Sequence, residues 1–324
     1  MDAADLLVAG ETLVDLFPDG PGDLAAVDGF RHRAGGAPAN VAVALSKLDA
    51  PPRFWTRLGG DPFGDYLSDA LAGHGLDGEF VVRGDAATAL AVVSPTPDGD
   101  RSFTFYEADT ATLAFETGTV PDAALADCAC VHVGGVALSD DAGRAATLDL
   151  VERASDADCL VSFDPNTRTD LWSDPSDAAD AFRDALALTD VLYCSPDDLA
   201  VLDVDPSGAR ADPERVAARL LDFGPHTVFL TRGGDGATVV SDATDSGERA
   251  AVSEPSFDVD VVDTTGAGDA FTAAALSQYE PGLSRSGLRD VLRYANAAGA
   301  LATTAQGGMA ALPDADAIDA LLGD

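Results

Sequence analysis

The sequence predicts an α/β fold in which a mainly parallel central sheet carries helices on both of its faces. Short apolar runs alternate with longer segments rich in Ala and Leu along most of the 324 residues, and this order is typical of strands joined by helical crossovers. Two further segments contain turns but have no room for a crossover helix, which predicts a second, small sheet. No internal repeat or low-complexity linker divides the sequence, so we expect one domain over residues 1–324.

The alternating elements begin with a strand at the apolar run Leu6–Ala9. Towards the end of the chain two strands follow each other directly, and two long helical segments then complete the fold. The predicted strands are 6–9, 54–55, 80–82, 130–133, 159–163, 191–194, 228–231, 236–241 and 250–252, and the predicted helices are 40–48, 63–74, 143–154, 177–188, 213–221, 268–279 and 288–303.

Two hairpin-like segments interrupt this alternation. Residues Leu13–Arg33 contain a cluster of Pro and Gly between 18 and 22, and Leu90–Tyr106 brackets a Pro97-Asp98-Gly99 turn. We expect these strands to project from the main sheet as a lid over the active site. The lid is predicted to comprise about residues 11–34 and 86–112. Its exposed strand edges invite pairing with a second copy, so a homodimer formed through the lid is a candidate assembly.

The charge of the chain is strongly negative, because 56 acidic residues face 19 basic ones and leave a formal net charge of -37. This balance excludes a nucleic-acid binder, whose contact surface is basic. The acidic residues are spread along the whole chain, as expected for a solvated surface. Lys47 is the single lysine, and this composition resembles that of proteins from salt-accumulating halophiles. Since salt screens self-repulsion, we expect the fold to weaken when salt is removed.

Several classes of protein and site are disfavoured by what the sequence lacks. The first ten residues carry two aspartates and no basic residue, unlike a signal peptide. No apolar run approaches the length of about 18 residues that a membrane span requires. The four cysteines and four histidines show no zinc-ligand spacing, and the cysteines fit a reducing compartment. We therefore expect a protein of the cytoplasm with no membrane or nucleic-acid partner.

The most informative segment is Asp263–Phe271, which reads Asp-Thr-Thr-Gly-Ala-Gly-Asp-Ala-Phe and precedes an Ala-rich helix. Glycines at a helix start let backbone amides approach an anion, and the helix dipole favours a phosphate there. The spacing is not that of a Walker motif, which places a Lys before Ser or Thr. A turn followed by a helix cap is the alternative. The carboxylate of Asp269 beside the glycines favours phosphoryl transfer, which needs a base and charge stabilisation side by side.

This segment resembles the C-terminal signature of the ribokinase-like (PfkB) carbohydrate kinases. Ala34–Asn40 and Arg57–Gly64 resemble the N-terminal signature of the same family, in the correct order. The resemblance covers nearly the whole chain. It implies a ribokinase-like three-layer sandwich with a small β-sheet lid, and an ATP-dependent sugar kinase that uses Mg2+.

The resemblance also implies roles for individual residues. Asp269 is expected to be the catalytic base, and the amides of Gly266, Ala267 and Gly268 to hold the charge that develops on the transferred phosphoryl group. The residues expected to contact the sugar are Asp15, Gly35, Gly36, Asn40, Tyr106 and Arg168. Those expected to line the ATP site are Ser195, Thr231, Gly233, Gly236 and Asn296. For Asn40 the alternative is a helix cap, and for Arg168 it is a surface ion pair.

Two metal sites follow from the same resemblance. Where the family shows an Asn-x-x-Glu motif tied to magnesium, this chain reads Ser195-Pro196-Asp197-Asp198. Asp198 is therefore expected to organise hydrated Mg2+, with a helix-capping role for Ser195 as the alternative. A monovalent cation, K+ in the first place, is expected near Asp263, Thr265, Ala302 and Gly307.

The choice of sugar depends on the lid and on Asp164–Arg168, which resembles an element of fructokinases and 2-keto-3-deoxygluconate kinases. Kinases of the keto-deoxy acid need a cation for its carboxylate, but Glu107 occupies the lid position where that Arg is expected. Arg101 or Arg168 could supply the charge instead. We therefore rank fructose first and 2-keto-3-deoxygluconate second. A non-catalytic sugar or nucleotide sensor is the rival from another class.

Overall fold

A computed structural model of the protein describes residues 6–20, 24, 27–95, 101–172 and 174–323. Within these residues nine strands form a main sheet and four form a separate small sheet. The strands are β1 (Leu6–Ala9), β2 (Leu13–Pro18), β3 (Phe30–Gly35), β4 (Arg53–Leu58), β5 (Val81–Arg83), β6 (Leu90–Pro95), β7 (Arg101–Tyr106), β8 (Cys130–Gly134), β9 (Leu160–Asp164), β10 (Val191–Cys194), β11 (Thr227–Thr231), β12 (Ala237–Ser241) and β13 (Ala250–Glu254).

The main sheet has the strand order β13-β12-β11-β10-β9-β8-β1-β4-β5. Its pairs from β11 to β5 are parallel, and β12 and β13 extend one edge as antiparallel strands. The helices are α1 (Ala37–Lys47), α2 (Pro62–Ala72), α3 (Asp122–Leu125), α4 (Asp141–Asp156), α5 (Pro175–Leu186), α6 (Pro196–Leu199), α7 (Gly208–Ala211), α8 (Pro213–Leu220), α9 (Ala267–Gln278), α10 (Arg285–Ala302), α11 (Gly308–Ala311) and α12 (Ala315–Leu322).

Helices cover both faces of the main sheet because strand residues alternate between two buried clusters. Leu6 and Val8 of β1 pack with α1, α9 and α10, whereas Leu7 packs on the other face with α4, α5 and α8. Burial of each such leucine contributes roughly 2 kcal/mol. The three-layer arrangement predicted for the chain is confirmed.

The small sheet has the strand order β3-β2-β6-β7. The strands β2 and β3 pair antiparallel, as do β6 and β7, and the two pairs join through parallel β2 and β6. The separate small sheet predicted from the two hairpin-like segments is confirmed. The predicted turn at residues 97–99 lies outside the described residues, and the role of the sheet as a lid stays a prediction.

The predicted elements are all present, with differences at their ends. The strand β4 runs over six residues where two were predicted, because it continues through the polar Thr56, which is fully buried and hydrogen-bonds to Thr12 Oγ1 at 2.8 Å. The helix α10 begins three residues earlier than predicted, since Ser284 caps it by accepting from the amide of Gly287. The short helices α3, α6, α7 and α11 and the helix α12 were not predicted. Within the described residues no helix is long and apolar enough to cross a membrane.

Candidate active site

The candidate site lies at the carboxyl edge of the parallel sheet, where the strand ends bring polar residues together. Glu11 follows β1, Asp164 ends β9, Ser195 follows β10 and Thr231 ends β11. All four line a cavity of about 400 Å³ that is closed on one side by Phe103 and Phe105 of the small sheet and on another by the start of α9.

The start of α9 has the glycine-rich turn at which the anion cradle is expected. Gly266 precedes the helix in the left-handed conformation, with φ of 83°, which glycine adopts without strain. The amide of Ala267 donates to the carbonyl of Thr264 at 3.2 Å and closes the turn. Gly266 and Gly268 line the cavity, and no atom stands within 4 Å of where a side chain of Gly268 would begin. The backbone at this helix N-terminus is therefore open to an anion.

Asp269 lies in the first turn of α9 and is buried, with 9% of its surface exposed. Its Oδ2 accepts a hydrogen bond from Asn40 Nδ2 at 2.7 Å. Burial raises the pKa of Asp269 to about 6, although Asn40 and the charge of Arg168 oppose the rise. A carboxylate with a pKa near 6 is ionised at neutral pH and accepts a proton more readily than an exposed one.

Further carboxyl groups line the same cavity, and burial raises the pKa of each. The pKa of Glu11 rises to about 8, with a further contribution from the charge of Glu107, and that of Glu107 rises to about 7. The pKa of Asp15 rises to about 7, partly because Asp269 is close, and that of Asp164 also rises. The site is therefore acidic and holds protons around neutral pH.

Several acceptor atoms in this acidic wall lack a hydrogen-bond partner among the described residues. They are both carboxyl oxygens of Glu107, Oε2 of Glu11 and Oδ1 of Asn40, and all are buried. Glu107 is only 4% exposed. Buried polar atoms are normally hydrogen-bonded, so an unpaired group that lines a cavity calls for a ligand with donors. The hydroxyl groups of a sugar would supply them.

Arg168 is the cation of this cavity among the described lining residues. Its Nη1 donates to the carbonyls of Asn166 and Thr167, each at 3.1 Å, and its guanidinium lies 5.8 Å from the ring centroid of Phe105. The loop that carries it is shaped by Asp164, whose Oδ1 accepts from the amide of Asn166. The charge of Arg168 lowers the pKa of the surrounding carboxyl groups, Asp269 included. Arg168 therefore partly neutralises the acidic wall.

A second cavity of about 680 Å³ opens on the other side of the cradle. The expected nucleotide residues all line it, namely Ser195, Thr231, Gly233, Gly236 and Asn296. Gly236 has φ of 83°, and a side chain there would meet the carbonyl of Glu254. The Nδ2 atom of Asn296 donates to the carbonyls of Glu254 and Pro255, at 3.3 and 3.2 Å. The two cavities share Ser195, Asp197, Thr231, Thr264 and Gly268 as a common wall.

Known proteins resemble the chain over nearly its whole length. A family model described as "pfkB family carbohydrate kinase" matches residues 3–315. This chain belongs to the pfkB family of carbohydrate kinases. Fructokinase from Klebsiella pneumoniae is 38% identical over 319 residues, which cover 95% of this kinase and 96% of that protein. Probable fructokinase-3 from Arabidopsis thaliana is 34% identical over 94% of this kinase and 87% of the relative.

Solved structures agree with this assignment. The crystal structure of fructokinase with bound ATP from Xylella fastidiosa has a TM-score of 0.85 and 31% identity, and the match covers 99% of this kinase and 98% of that chain. A fructokinase double mutant from Vibrio cholerae, in a form that binds fructose, ADP and potassium, has a TM-score of 0.82 and 30% identity, with 98% and 97% covered. The ribokinase-like fold and the sugar phosphotransferase class are therefore established for the kinase.

Asp198 of the kinase accepts three hydrogen bonds in the structure. Its Oδ2 accepts from the amide and the hydroxyl of Ser195, both at 2.8 Å, and its Oδ1 accepts from the amide of Thr167 at 2.8 Å. These bonds cap α6 and tie it to the Asp164–Arg168 loop, so the capping role of Ser195 that was the alternative is present. The role of Asp198 towards hydrated Mg2+ stays a prediction. The neighbouring Asp197 lines both cavities.

The described part of the kinase contains no cluster of three or more His, Cys, Asp or Glu residues that could hold a metal ion. Mg2+ beside phosphates takes most of its ligands from water and phosphate oxygens, and a protein usually adds one or two carboxylates. Asp197 fits that need, because it lies on the wall between the sugar cavity and the nucleotide cleft.

The residues expected at a monovalent cation site are joined by hydrogen bonds. The carboxylate of Asp263 accepts from the amides of Thr265 and Gly307, each at 3.0 Å. Ala302 is buried at the end of α10, and the carbonyl of the next residue, Thr303, accepts from the amide of Asp263 at 3.1 Å. Hydrogen bonds thus join three segments of the chain here, around Asp263, at the end of α10 and at Gly307.

Two of the expected sugar contacts lie outside the cavity. Tyr106 is 61% exposed and absent from the cavity wall, because side chains of β7 alternate and Phe103 and Phe105 take the inner face. Gly35 does not line the cavity but packs against Asp15, since a side chain at Gly35 would collide with the Asp15 carboxylate. Gly36 does line the cavity. Glu11, which was not among the expected site residues, contributes to the wall. Its place directly after β1 was the signal that could have identified it.

Proposed function

We propose that this protein is an ATP-dependent fructokinase, which transfers the γ-phosphate of ATP to a hydroxyl of fructose. The observation that carries the proposal is the position of Asp269. Its buried carboxylate is held by Asn40 in the first turn of α9, beside the open amides of the cradle and next to the wall shared by the two cavities. A sugar hydroxyl in one cavity and the phosphates in the other would meet at this carboxylate.

The chemistry follows from these groups. Asp269 accepts the proton of the attacking hydroxyl, a role for which a pKa of about 6 is suitable. The amides of Gly266 and Gly268 stabilise the charge on the phosphoryl group as it passes between the oxygens, while that of Ala267 donates to the carbonyl of Thr264. Magnesium, when bound, neutralises phosphate charge, and Asp197 is the carboxylate placed to hold it. The small sheet would close over the sugar and exclude water, which otherwise competes for the phosphoryl group.

A neutral sugar fits the cavity better than an acidic one. Glu11, Asp15, Glu107 and Asp164 face it, and Arg168 alone among the described lining residues opposes them with positive charge. The oxygens of Glu11 and Glu107 that lack partners among the described residues can accept hydrogen bonds from sugar hydroxyls. A carboxylate on the sugar would be repelled by Asp269, which a pKa of about 6 leaves ionised at neutral pH. The relatives at 32–38% identity are named fructokinases, which supports fructose as the sugar.

We further propose K+ at the site formed around Asp263, Thr265, Ala302 and Gly307. The support is the convergence of backbone at this point and the potassium ion named for the Vibrio cholerae fructokinase structure. A kinase that consumes ATP is expected to work in the cytoplasm. The homodimer through the small sheet remains a proposal as well.

The test is ADP release by the wild type in about 2 M KCl with MgCl2, where charge repulsion is screened. Fructose, 2-keto-3-deoxygluconate, glucose and ribose are compared as acceptors. Asp269→Asn is the inactive variant, and Asp141→Asn, on the exposed start of α4, is the matched control. Turnover that depends on fructose, disappears in Asp269→Asn and persists in Asp141→Asn supports the proposal. Turnover only with the keto-deoxy acid refutes fructose, and ATP binding without any turnover favours a sensor.

A further inference from the structure

Lys47, the single lysine of the chain, ends α1 and is not among the residues that line the candidate sugar cavity. It is half-buried, and its Nζ donates to the carbonyls of Leu312 at 2.7 Å and Met309 at 3.3 Å. These carbonyls close the C-terminal end of the short helix α11. A cation at that end pairs with carbonyls that the helix itself leaves free. Lys47 therefore joins the end of α1 to the end of α11.

The other end of α11 touches the catalytic groups. A side chain beginning at Gly308 would stand 3.0 Å from both Oδ1 and Nδ2 of Asn40, so this glycine lies directly against the Asn40 amide. One beginning at Gly266 would stand 3.3 Å from the Cα of Gly308. The amide of Gly307 donates to Asp263. The helix α11 thus packs against Asn40, the hydrogen-bond partner of Asp269, and against Gly266 of the cradle.

We propose that Lys47 is a positioning residue for phosphoryl transfer, which fixes α11 so that Gly308 keeps Asn40 in hydrogen-bond contact with Asp269. The inference rests on the proposed function for the role of Asp269 as the base. It assigns Lys47 no contact with sugar or nucleotide. The effect passes through backbone, from the ammonium group to α11 and from Gly308 to the Asn40 amide.

The surroundings of Lys47 show why its hydrogen bonds matter. A cavity of about 230 Å³ lies beside it, lined among others by Arg33, Tyr66, His74 and Met309. Met309 and Leu312 pack in the core on one side of α11, and on the open side the two hydrogen bonds of Lys47 add to that packing. Burial lowers the pKa of Lys47, while the charge of Asp314 opposes that effect. The charged lysine is kept at this place despite the cost of partial burial.

The main test compares Lys47→Met, which keeps the aliphatic stem and loses the charge and donors, with Lys47→Arg, which keeps both. In Lys47→Met we expect kcat to fall about tenfold through misplacement of the base, with KM for ATP changed less than about twofold. The acid limb of the rate profile should move to higher pH, since a weaker bond from Asn40 raises the pKa of Asp269. Asp269 also faces Asp15, Asp164 and Arg168, which the variant leaves in place. Lys47→Arg should restore most of kcat.

Gly308→Ala tests the same contact from the other side. Its new methyl group would press on the Asn40 amide, so we expect the same loss of kcat and the same movement of the acid limb. The control is Arg53→Met, which removes a cationic donor to the carbonyl of Ala124 at the opposite edge of the sheet. It should leave kcat and the acid limb unchanged once rates are corrected for the folded fraction.

Hydrogen exchange provides a readout that does not depend on turnover. Backbone exchange over residues 263–271 should rise in Lys47→Met and remain unchanged in Arg53→Met and Lys47→Arg. A Lys47→Met protein that melts earlier but keeps the wild-type kcat, acid limb and exchange would show that Lys47 only stabilises the fold, and the inference would be wrong. If the wild type phosphorylates no sugar, the proposed function fails, and the exchange measurement still decides whether Lys47 positions the cradle.

Discussion

Replacing Asn40 by leucine removes the hydrogen bond that Nδ2 donates to the Asp269 carboxylate at 2.7 Å. Leucine has nearly the same volume, so water is kept out of the space that the amide leaves. A hydrogen bond to a charged group contributes about 1.5–3 kcal/mol, and each pKa unit corresponds to about 1.4 kcal/mol. The pKa of Asp269, about 6 in the wild type, should therefore rise by about one unit or more.

The assay is kcat/KM for the sugar from about pH 5 to pH 9 at constant salt, because this ratio reports groups in the free enzyme. Activity requires the ionised carboxylate, so a raised pKa moves the acid limb to higher pH. Asp15 and Glu107 titrate near the same pH, and the comparison with the wild type removes their shared contribution. Ser46→Ala, which loses only a local bond to the carbonyl of Ala42 on the same helix, is the control. Identical acid limbs in Asn40→Leu and wild type would refute the reasoning.

Three further outcomes are expected. Glu107→Arg should raise kcat/KM for 2-keto-3-deoxygluconate relative to fructose by about tenfold, since it replaces a carboxyl group by a cation that attracts the substrate carboxylate. An unchanged ratio in the substrate assay would show that Glu107 does not determine the choice of sugar. In the wild type, the free energy of unfolding should fall as pH rises from about 4.5 to about 8, because folded Glu11 keeps its proton up to about pH 8. Denaturant titration should show a smaller fall in Glu11→Gln, and an equal fall in the two proteins would contradict this. Lowering KCl from about 2 M to about 0.1 M should lower the Tm through self-repulsion, and a Tm independent of salt would show that the net charge of -37 does not limit stability.

The order of strands and helices was predictable because hydrophobic patterning is local. Each buried strand of the main sheet is a short apolar run, and each long helix is rich in Ala and Leu. The length of β4 was not predictable in this way, because the buried hydroxyl of Thr56 is hydrogen-bonded to that of Thr12, a residue 44 positions away. The end of α11 similarly meets Lys47, which lies 265 positions away from Leu312 in the sequence. Such contacts appear only when distant segments meet.

The site was predictable where the motif itself forms the geometry. The loop before α9 contains both the cradle and Asp269, so the local sequence describes both. It was harder to predict which side chains of β7 face the cavity, since neighbouring residues of a strand point to opposite faces and Phe105, not Tyr106, faces inward. The capping of α6 by Ser195 and Asp198 was left as an alternative, and the three hydrogen bonds that Asp198 accepts become apparent only in three dimensions.

The wall shared by the two cavities has a stereochemical consequence. The sugar and the nucleotide would meet at this wall, and an in-line transfer there would place the acceptor oxygen and the departing oxygen on opposite sides of the phosphorus atom. No side chain needs to carry the phosphoryl group between the two cavities. A γ-phosphate made chiral with oxygen isotopes should therefore arrive on the sugar with inverted configuration.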